Sequence, residues 1–299
     1  MPIPAYRSRL GARLALAGLV ALTLLVLACR PAPPAPRGDL ILATTTSVQD
    51  SGLLEALIPV FEAGVNVNVK PVAVGTGAAL RLAEEGNADA LFVHAPDAER
   101  ALVGAGHAYN RHLVAYNDFV IVGPRADPAN IAGDTDAATA FTAIAATEAR
   151  FISRGDDSGT HKRERAIWAE ARIVPGDSWY AESGQGMGAT LTIADQKLAY
   201  VLTDRGTFLA LSDDVDLIPL VEGDPALLNL YSVLQVSPAK LGVNALAAVA
   251  WIEFMLSEEA QAIINDFRRD EFGRPLFHAA AGLQEAEVIE RFTVQAADG

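Results

Sequence analysis

From residue 39 onward, short apolar runs alternate with amphipathic segments, and that alternation restricts the chain to an α/β fold. Residues 39–43 read as a buried strand, 44–47 (Thr-Thr-Thr-Ser) as a polar loop and 53–63 as a helix. The valine-rich stretch 65–74 is a second strand, after which Gly75-Thr76-Gly77 turns into a helix over 78–85. Residues 88–93 form a third strand ahead of Pro96 and a helix over 97–103. Three strand–loop–helix units in succession imply right-handed parallel crossovers. Such crossovers gather the loops at the carboxyl ends of the strands, where open α/β sheets bind ligands.

A second set of units follows. Residues 119–122 form a strand that stops at Gly123-Pro124, and 149–153 another, followed by a loop over 154–160 and a helix over 161–171. The glycine-rich loop 184–188 precedes a helix over 189–196; 198–202 and 207–211 add a strand and a helix. Residues 228–236 read as a strand returning from this second set. Residues 244–256 are apolar almost all round, as in a packed helix, and Ser257 suits the N-cap of a helix over 258–267.

The first stretch differs in kind. Arg7, Arg9 and Arg13 precede an apolar run over 14–28, shorter than the roughly 20 residues of a spanning helix, as in a secretory signal peptide (residues 1–28). The run ends at Cys29, the chain's single cysteine, which resembles the acylated lipobox cysteine of bacterial lipoproteins. Residues 29–37 carry four prolines and read as an extended tether. The expected location is therefore extracytoplasmic, in the periplasm or at the cell surface, with a lipid holding the folded part to the membrane.

Three hydroxyl- and glycine-rich loops, each leading to a helix start, carry the chemistry. A helix start offers unpaired N–H groups and the positive end of the dipole; serine and threonine add O–H donors, and glycine lets a ligand approach the backbone. Together these make a cradle for a compact anion. The first loop supplies Thr44, Thr45, Thr46 and Ser47, the second Gly75, Thr76 and Gly77, the third Arg154, Ser158, Gly159 and Thr160. Arg154 either contacts an oxyanion through two prongs or pairs with Asp156 or Asp157; the sequence leaves both open. The net charge of −14 argues against nucleic acid and requires any anion to be drawn in by local dipoles and a nearby guanidinium rather than by the global field.

Catalytic readings fare worse. His94, His107, His112 and His161 lack metal-ligand spacing and read as loop or surface histidines; there is no GxSxG elbow, and no thiol beyond Cys29. GxG at 75–77 falls short of a dinucleotide fingerprint. Trp179 and Tyr180 read as packing residues. The chain is expected to be no enzyme and to need no cofactor and no bound metal cation.

The stretches LATTTSVQDSGLL, VAVGTGAAL, ADALFVHAP, YNDFVIVGP, SRGDDSGTHKRE, SGQGMGATL and YVLTDRGTFLAL resemble, in order, the substrate-binding component of bacterial tungstate ABC importers. Where Asn229-Leu230-Tyr231-Ser232 stands, that family leads one to expect Pro and Gly beside the tyrosine, and Ala78 replaces a longer polar residue. The resemblance implies a two-lobed periplasmic-binding-protein fold (type II), with two mixed sheets flanked by helices and an interlobe cleft. It places lobe 1 at 38–119 and 231–299, and lobe 2 at 120–230. It further implies an oxyanion held by Thr45, Thr46, Ser47, Thr76, Arg154, Ser158, Gly159 and Thr160, with Gly186 and Met187 in a lobe-closing loop. The partners would be a membrane permease and its ATPase, and the protein a monomer. Tungstate and molybdate, fully deprotonated at neutral pH, only accept hydrogen bonds and suit a site of donors. Phosphate is the alternative, since Asp156 could receive its proton; a secreted phosphoester hydrolase is a more distant one.

Overall fold

The computed structural model describes residues 35–176 and 178–297. The expected signal peptide, Cys29 and most of the expected tether lie outside the described residues. Residues 1–35 and 36–299 separate into two units, and the fold is that of the second.

β1 (Arg37–Thr45) lies between two parallel neighbours, β2 (Asn66–Val74) and β3 (Ala90–Val93). Its residues Leu40, Leu42 and Ala43 are fully buried, as a strand covered on both faces requires. The crossovers are helical: α1 (Thr46–Ser51) with α2 (Leu53–Gly64), then α3 (Thr76–Glu85). The helix α4 (Pro96–Gly104) leads to β4 (Ala108–Gly123), a 16-residue strand. Antiparallel to β4 runs β9 (Leu228–Val236), which also pairs with β3, and the sheet closes in the order β10-β4-β9-β3-β1-β2. Here β10 is the short strand His278–Ala279.

β4 changes partners partway along. Its pairing with β9 ends at Asp118↔Leu228, and Phe119↔Asp204 begins a new ladder with β7 (Val201–Asp204). Beyond a register shift it also meets β8 (Ile218–Val221). From there on Phe119 and Ile121 enter one apolar core while Val120 and Val122 enter another, the two-residue period of a strand buried on both faces. Around this second ladder lie α5 (Ala137–Ala146), β5 (Phe151–Ser153), α6 (Gly159–Glu170), β6 (Tyr180–Glu182), α7 (Met187–Lys197) and α8 (Arg205–Ala210). β5 and β6 pair in parallel. The first sheet has cores of its own: Leu42, Phe61 and Trp251 on one face, Leu91, Val93 and Leu234 on the other.

Three C-terminal helices, α9 (Ala245–Met255), α10 (Glu258–Asp266) and α11 (Arg269–Phe272), precede β10, and α12 (Glu285–Ala297) ends the described chain. Ser257 caps α10 as expected, its hydroxyl accepting from the Ala260 N–H. The fold is the expected mixed α/β architecture, with one difference: β4 belongs to both ladders, so the two halves share a continuous strand.

Other departures have local causes. The stretch read as a polar loop after β1 is divided between the end of β1 and the start of α1, whose N-cap Thr45 accepts from the Val48 N–H. Thr44 still belongs to β1, and its hydroxyl donates to the Phe92 carbonyl at 2.8 Å, which turns it away from any ligand. β4 starts eleven residues before the expected 119, because Asn117 and Asp118 sit buried inside it with long-range partners, Asn229 and Arg205.

Candidate functional site

The register of the first sheet sets the site's floor. Thr45 pairs with Val74 and Thr44 with Phe92, so β1, β2 and β3 end on one line. The next residues along the chain, Thr46, Gly75 and His94, share that edge. Across from it stands the loop 154–160, which links β5 to α6.

Close approaches tie the two sides together. A Cβ built on Gly75 would lie 3.6 Å from the Asp156 carbonyl oxygen, and one on Gly77 would meet the carboxylate of Asp157. At Gly159 it would lie 2.5 Å from His94 Cε1 and 2.9 Å from Nε2. Alanine therefore has opposite consequences at two of these glycines. Gly77→Ala meets only the tip of a side chain that is 58% exposed and can swing aside. Gly159→Ala strikes an imidazole pinned by a stack on Tyr231, with ring centroids 4.9 Å apart, and by Asn229 at 2.9 Å. Thermal unfolding should register a loss of about 1–3 kcal/mol for Gly159→Ala and almost none for Gly77→Ala.

Polar atoms at this junction are buried and unpaired. Among the described residues, Thr76 Oγ1, Thr160 Oγ1, Arg154 Nε and Nη1, and His94 Nε2 have no hydrogen-bond partner. Buried polar groups in folded proteins are almost always paired, so five such atoms on neighbouring loops mark a place built for a polar ligand. Two helices start here without a side-chain cap or with their first N–H groups facing the same junction: α3 behind Gly75, and α6 behind Ser158.

Arg154 makes the ion pair with Asp156 and still has two nitrogens without a partner. Only 2% exposed, it gives Nη2 to Asp156 at 2.5 Å and leaves Nε and Nη1 unpaired. Asp156 is held on both oxygens: Oδ2 takes Arg154, and Oδ1 takes the Ser158 N–H at 3.2 Å. Burial disfavours its charge, but the bonds from Ser158 and Arg154 outweigh that and hold its pKa below the usual carboxylate range. Ser158 is committed within the loop, its hydroxyl accepting from the His161 N–H as the cap of α6. His161 in turn accepts from the Asp157 N–H at 3.0 Å through Nδ1.

The remaining expected residues fall as follows. Thr45 and Ser47 are buried and Thr46 half-buried, on a segment that packs against α8 of the second ladder. Arg154 also acts electrostatically on Asp50 at the end of α1, which places that segment within its field. Gly186 is exposed, and the Met187 side chain is core, packed with Val120, Leu191 and Phe208. Only the backbone of that loop reaches the junction, where the Gly184 N–H donates to the Arg154 carbonyl at 2.9 Å. Trp179 and Tyr180 pack with Trp168 and Phe151, as expected.

His94 was read as a loop or surface histidine; it lies in a loop, but the surface half of that reading is wrong. It is 5% exposed and projects from the loop after β3. The signal was its position: the first polar residue after a buried strand, equivalent to Thr46 and Gly75 on their strands. Burial drives its pKa down to about 4, helped by Arg154 and Arg163 and opposed by the bond to Asn229. His161 is also largely buried, whereas His112 is exposed.

A cleft of about 450 Å³ lies elsewhere, bordered by Asp118, Arg205, Glu222 and His278. Its buried arginine is already bound by Asp118 and Glu222, so it lacks the unspent donors of the loop junction.

A PBP superfamily domain matches residues 30–259. The chain is 45% identical to the tungstate-binding protein TupA of Peptoclostridium acidaminophilum over 244 residues, 81% of this chain and 85% of that protein. Among solved structures it is similar to the tungstate-binding protein TupA of Desulfovibrio alaskensis G20, with 42% identity, a TM-score of 0.70, and coverage of 82% of this chain and 99% of that one. It is equally similar to the tungstate ABC transporter structure from Geobacter sulfurreducens, with 47% identity, a TM-score of 0.70, and coverage of 77% and 98%.

Proposed function

Because this chain belongs to the PBP superfamily and to its family of tungstate-binding proteins, we propose that it captures tungstate outside the cytoplasm and delivers it to an ABC importer. The observation that carries this reading is the set of buried, unpaired donors on Thr76, Arg154 and Thr160, contributed by loops from both ladders.

The two ladders act as lobes, the first built on β1–β3 and the second on β7 and β8, hinged where β4 changes partners at Asp118/Phe119 and where β9 begins at Leu228. The oxyanion sits between them. Thr76 and Thr160 donate hydroxyls, the starts of α3 and α6 donate backbone N–H groups, and Arg154 donates the two N–H groups that Asp156 does not use. Thr45 and Ser158 shape their loops as helix caps, and Thr46 and Ser47 line the first-lobe side. The loop at Gly186 and Met187 closes over the site through its backbone.

The charge state of the loop favours tungstate or molybdate over phosphate. Hydrogen phosphate needs an acceptor as well as donors, and the acceptor expected for that task, Asp156, already binds Arg154 and Ser158, while the unpaired atoms of Thr76, Thr160 and Arg154 can donate. No covalent chemistry is assigned to the site. Export, acylation at Cys29, action as a monomer and docking on a permease with its ATPase complete the reading, with the Pro-rich tether giving reach from the membrane.

The test is calorimetric titration with tungstate, molybdate, sulfate and phosphate. Tungstate is expected to bind one to one and phosphate far more weakly. Phosphate binding more tightly than tungstate would make this a phosphate carrier, and turnover of a chromogenic phosphoester would make it an enzyme.

A further inference from the structure

We propose that His94 is an additional binding residue, and that it takes up one proton from solvent as the oxyanion enters and returns it on release. The proposal rests on the binding site described above. It starts from the tautomer. Asn229 uses its amide nitrogen twice, donating to Asn117 Oδ1 at 2.9 Å and to the Tyr231 hydroxyl at 2.8 Å. Its carbonyl oxygen is therefore the atom facing His94 Nδ1 at 2.9 Å, and Nδ1 must carry the ring's proton. In the neutral ring Nε2 is then a bare lone pair.

That lone pair points the wrong way for its surroundings. Nε2 is buried and without a partner, and the Cε1–Nε2 edge lies against Gly159, the first residue of α6. This is the place where an oxyanion would collect N–H and O–H donors. Tungstate brings oxygens and no proton, so an unprotonated Nε2 beside it would set two lone pairs against each other. A protonated Nε2 turns the same contact into a charge-assisted hydrogen bond.

The charges around the ring say when the proton arrives. Facing His94 are Arg154 and Arg163, both cationic, with Tyr231 stacked on its face and Asn229 at its edge. Arg163 is turned to the Leu228 carbonyl, and Arg154 is half-neutralised by Asp156. Without an anion, burial and the two guanidinium groups keep the ring neutral. A dianion brings two charges of opposite sign into contact, against one guanidinium already paired with a carboxylate. The imidazole, with its Nε2 free of any partner, can add a positive charge by gaining a proton. In the step the Nε2 lone pair takes H⁺ from water or buffer, and no bond of the oxyanion breaks.

The experiment is calorimetric titration of the protein with sodium tungstate near pH 7 in two buffers of very different ionisation heat. The dependence of the binding heat on buffer counts protons taken up. Close to one proton is expected for the native chain, and close to none for His94→Gln. The dissociation constant of the native chain should rise about tenfold for each pH unit above neutral. Binding heats that do not depend on buffer would overturn the proposal while leaving tungstate binding intact. Uptake of one proton by His94→Gln would also overturn it, as would hydrogen phosphate binding more tightly than tungstate without proton uptake. Loss of all binding by the native chain would remove the functional reading together with it. If the variant fails to fold, the native chain's buffer dependence decides alone.

Discussion

Arg154→Ala is expected to weaken tungstate binding by about 3–4 kcal/mol, two to three orders of magnitude in affinity. The side chain is 2% exposed, with two of its three nitrogens unpaired and the third bound to Asp156. Removing it takes away two charge-assisted donors. It also strips Asp156 of its cation, leaving a carboxylate held only by Ser158 beside an incoming dianion. The second effect should be separable from the first. An Arg154→Ala/Asp156→Asn double variant should recover part of the loss, because the repulsion goes while the donors stay missing. Arg154→Lys should fall between, since an ammonium keeps the charge but cannot hold Asp156 and fork toward the ligand at once. Calorimetric affinities for the four proteins check this. An unchanged affinity for Arg154→Ala would place its free nitrogens away from the ligand.

Much of this site was legible in the sequence because it depends on short-range signals. A run of hydroxyls or a glycine just after a buried strand, followed by an amphipathic helix, already places donors at a sheet edge. Thr76, Arg154 and Thr160 were found in that way. The misreadings arose where a distant partner decides. Thr44 looked like one more donor, but its hydroxyl is claimed by Phe92, 48 residues away. Met187 sits in a glycine-rich loop sequence yet faces the second core as the first residue of α7. The strand was begun at 119, after Asn117 and Asp118, whose polar groups find partners in Asn229 and Arg205, more than 80 residues further on. His94 was discounted by the general rule that lone histidines are exposed. Its burial depends on Tyr231 and Asn229, from the stretch where the chain departs from the family's expected Pro and Gly.

Trp168→Ala is expected to cost about 3–5 kcal/mol of stability while leaving tungstate affinity within roughly tenfold of the native chain. The indole is 2% exposed on α6, 4.1 Å from the ring centroid of Phe141 and 5.3 Å from that of Phe151. Its Nε1 also donates to Glu164, a carboxyl that burial pushes up to about 7 and that Tyr180 steadies at 2.8 Å. Truncation therefore opens a cavity and removes one of the donors to a buried acid, and the melting temperature should fall by roughly 10 °C or more. The same helix begins at Gly159 and Thr160, so a rigid-body view would have the binding site collapse with it. The contacts at its start argue otherwise: the Ser158 cap, the His161–Asp157 bond, the Lys162–Asp157 ion pair and Arg163 on the Leu228 carbonyl all lie within the first turn or so. Tungstate at a thousand times its dissociation constant adds about 4 kcal/mol, comparable to the loss, so saturating ligand should return the variant to about the melting temperature of the unliganded native chain. A fall in affinity as large as that of Arg154→Ala would mean that the far end of α6, and not its own loop, holds the donors in place.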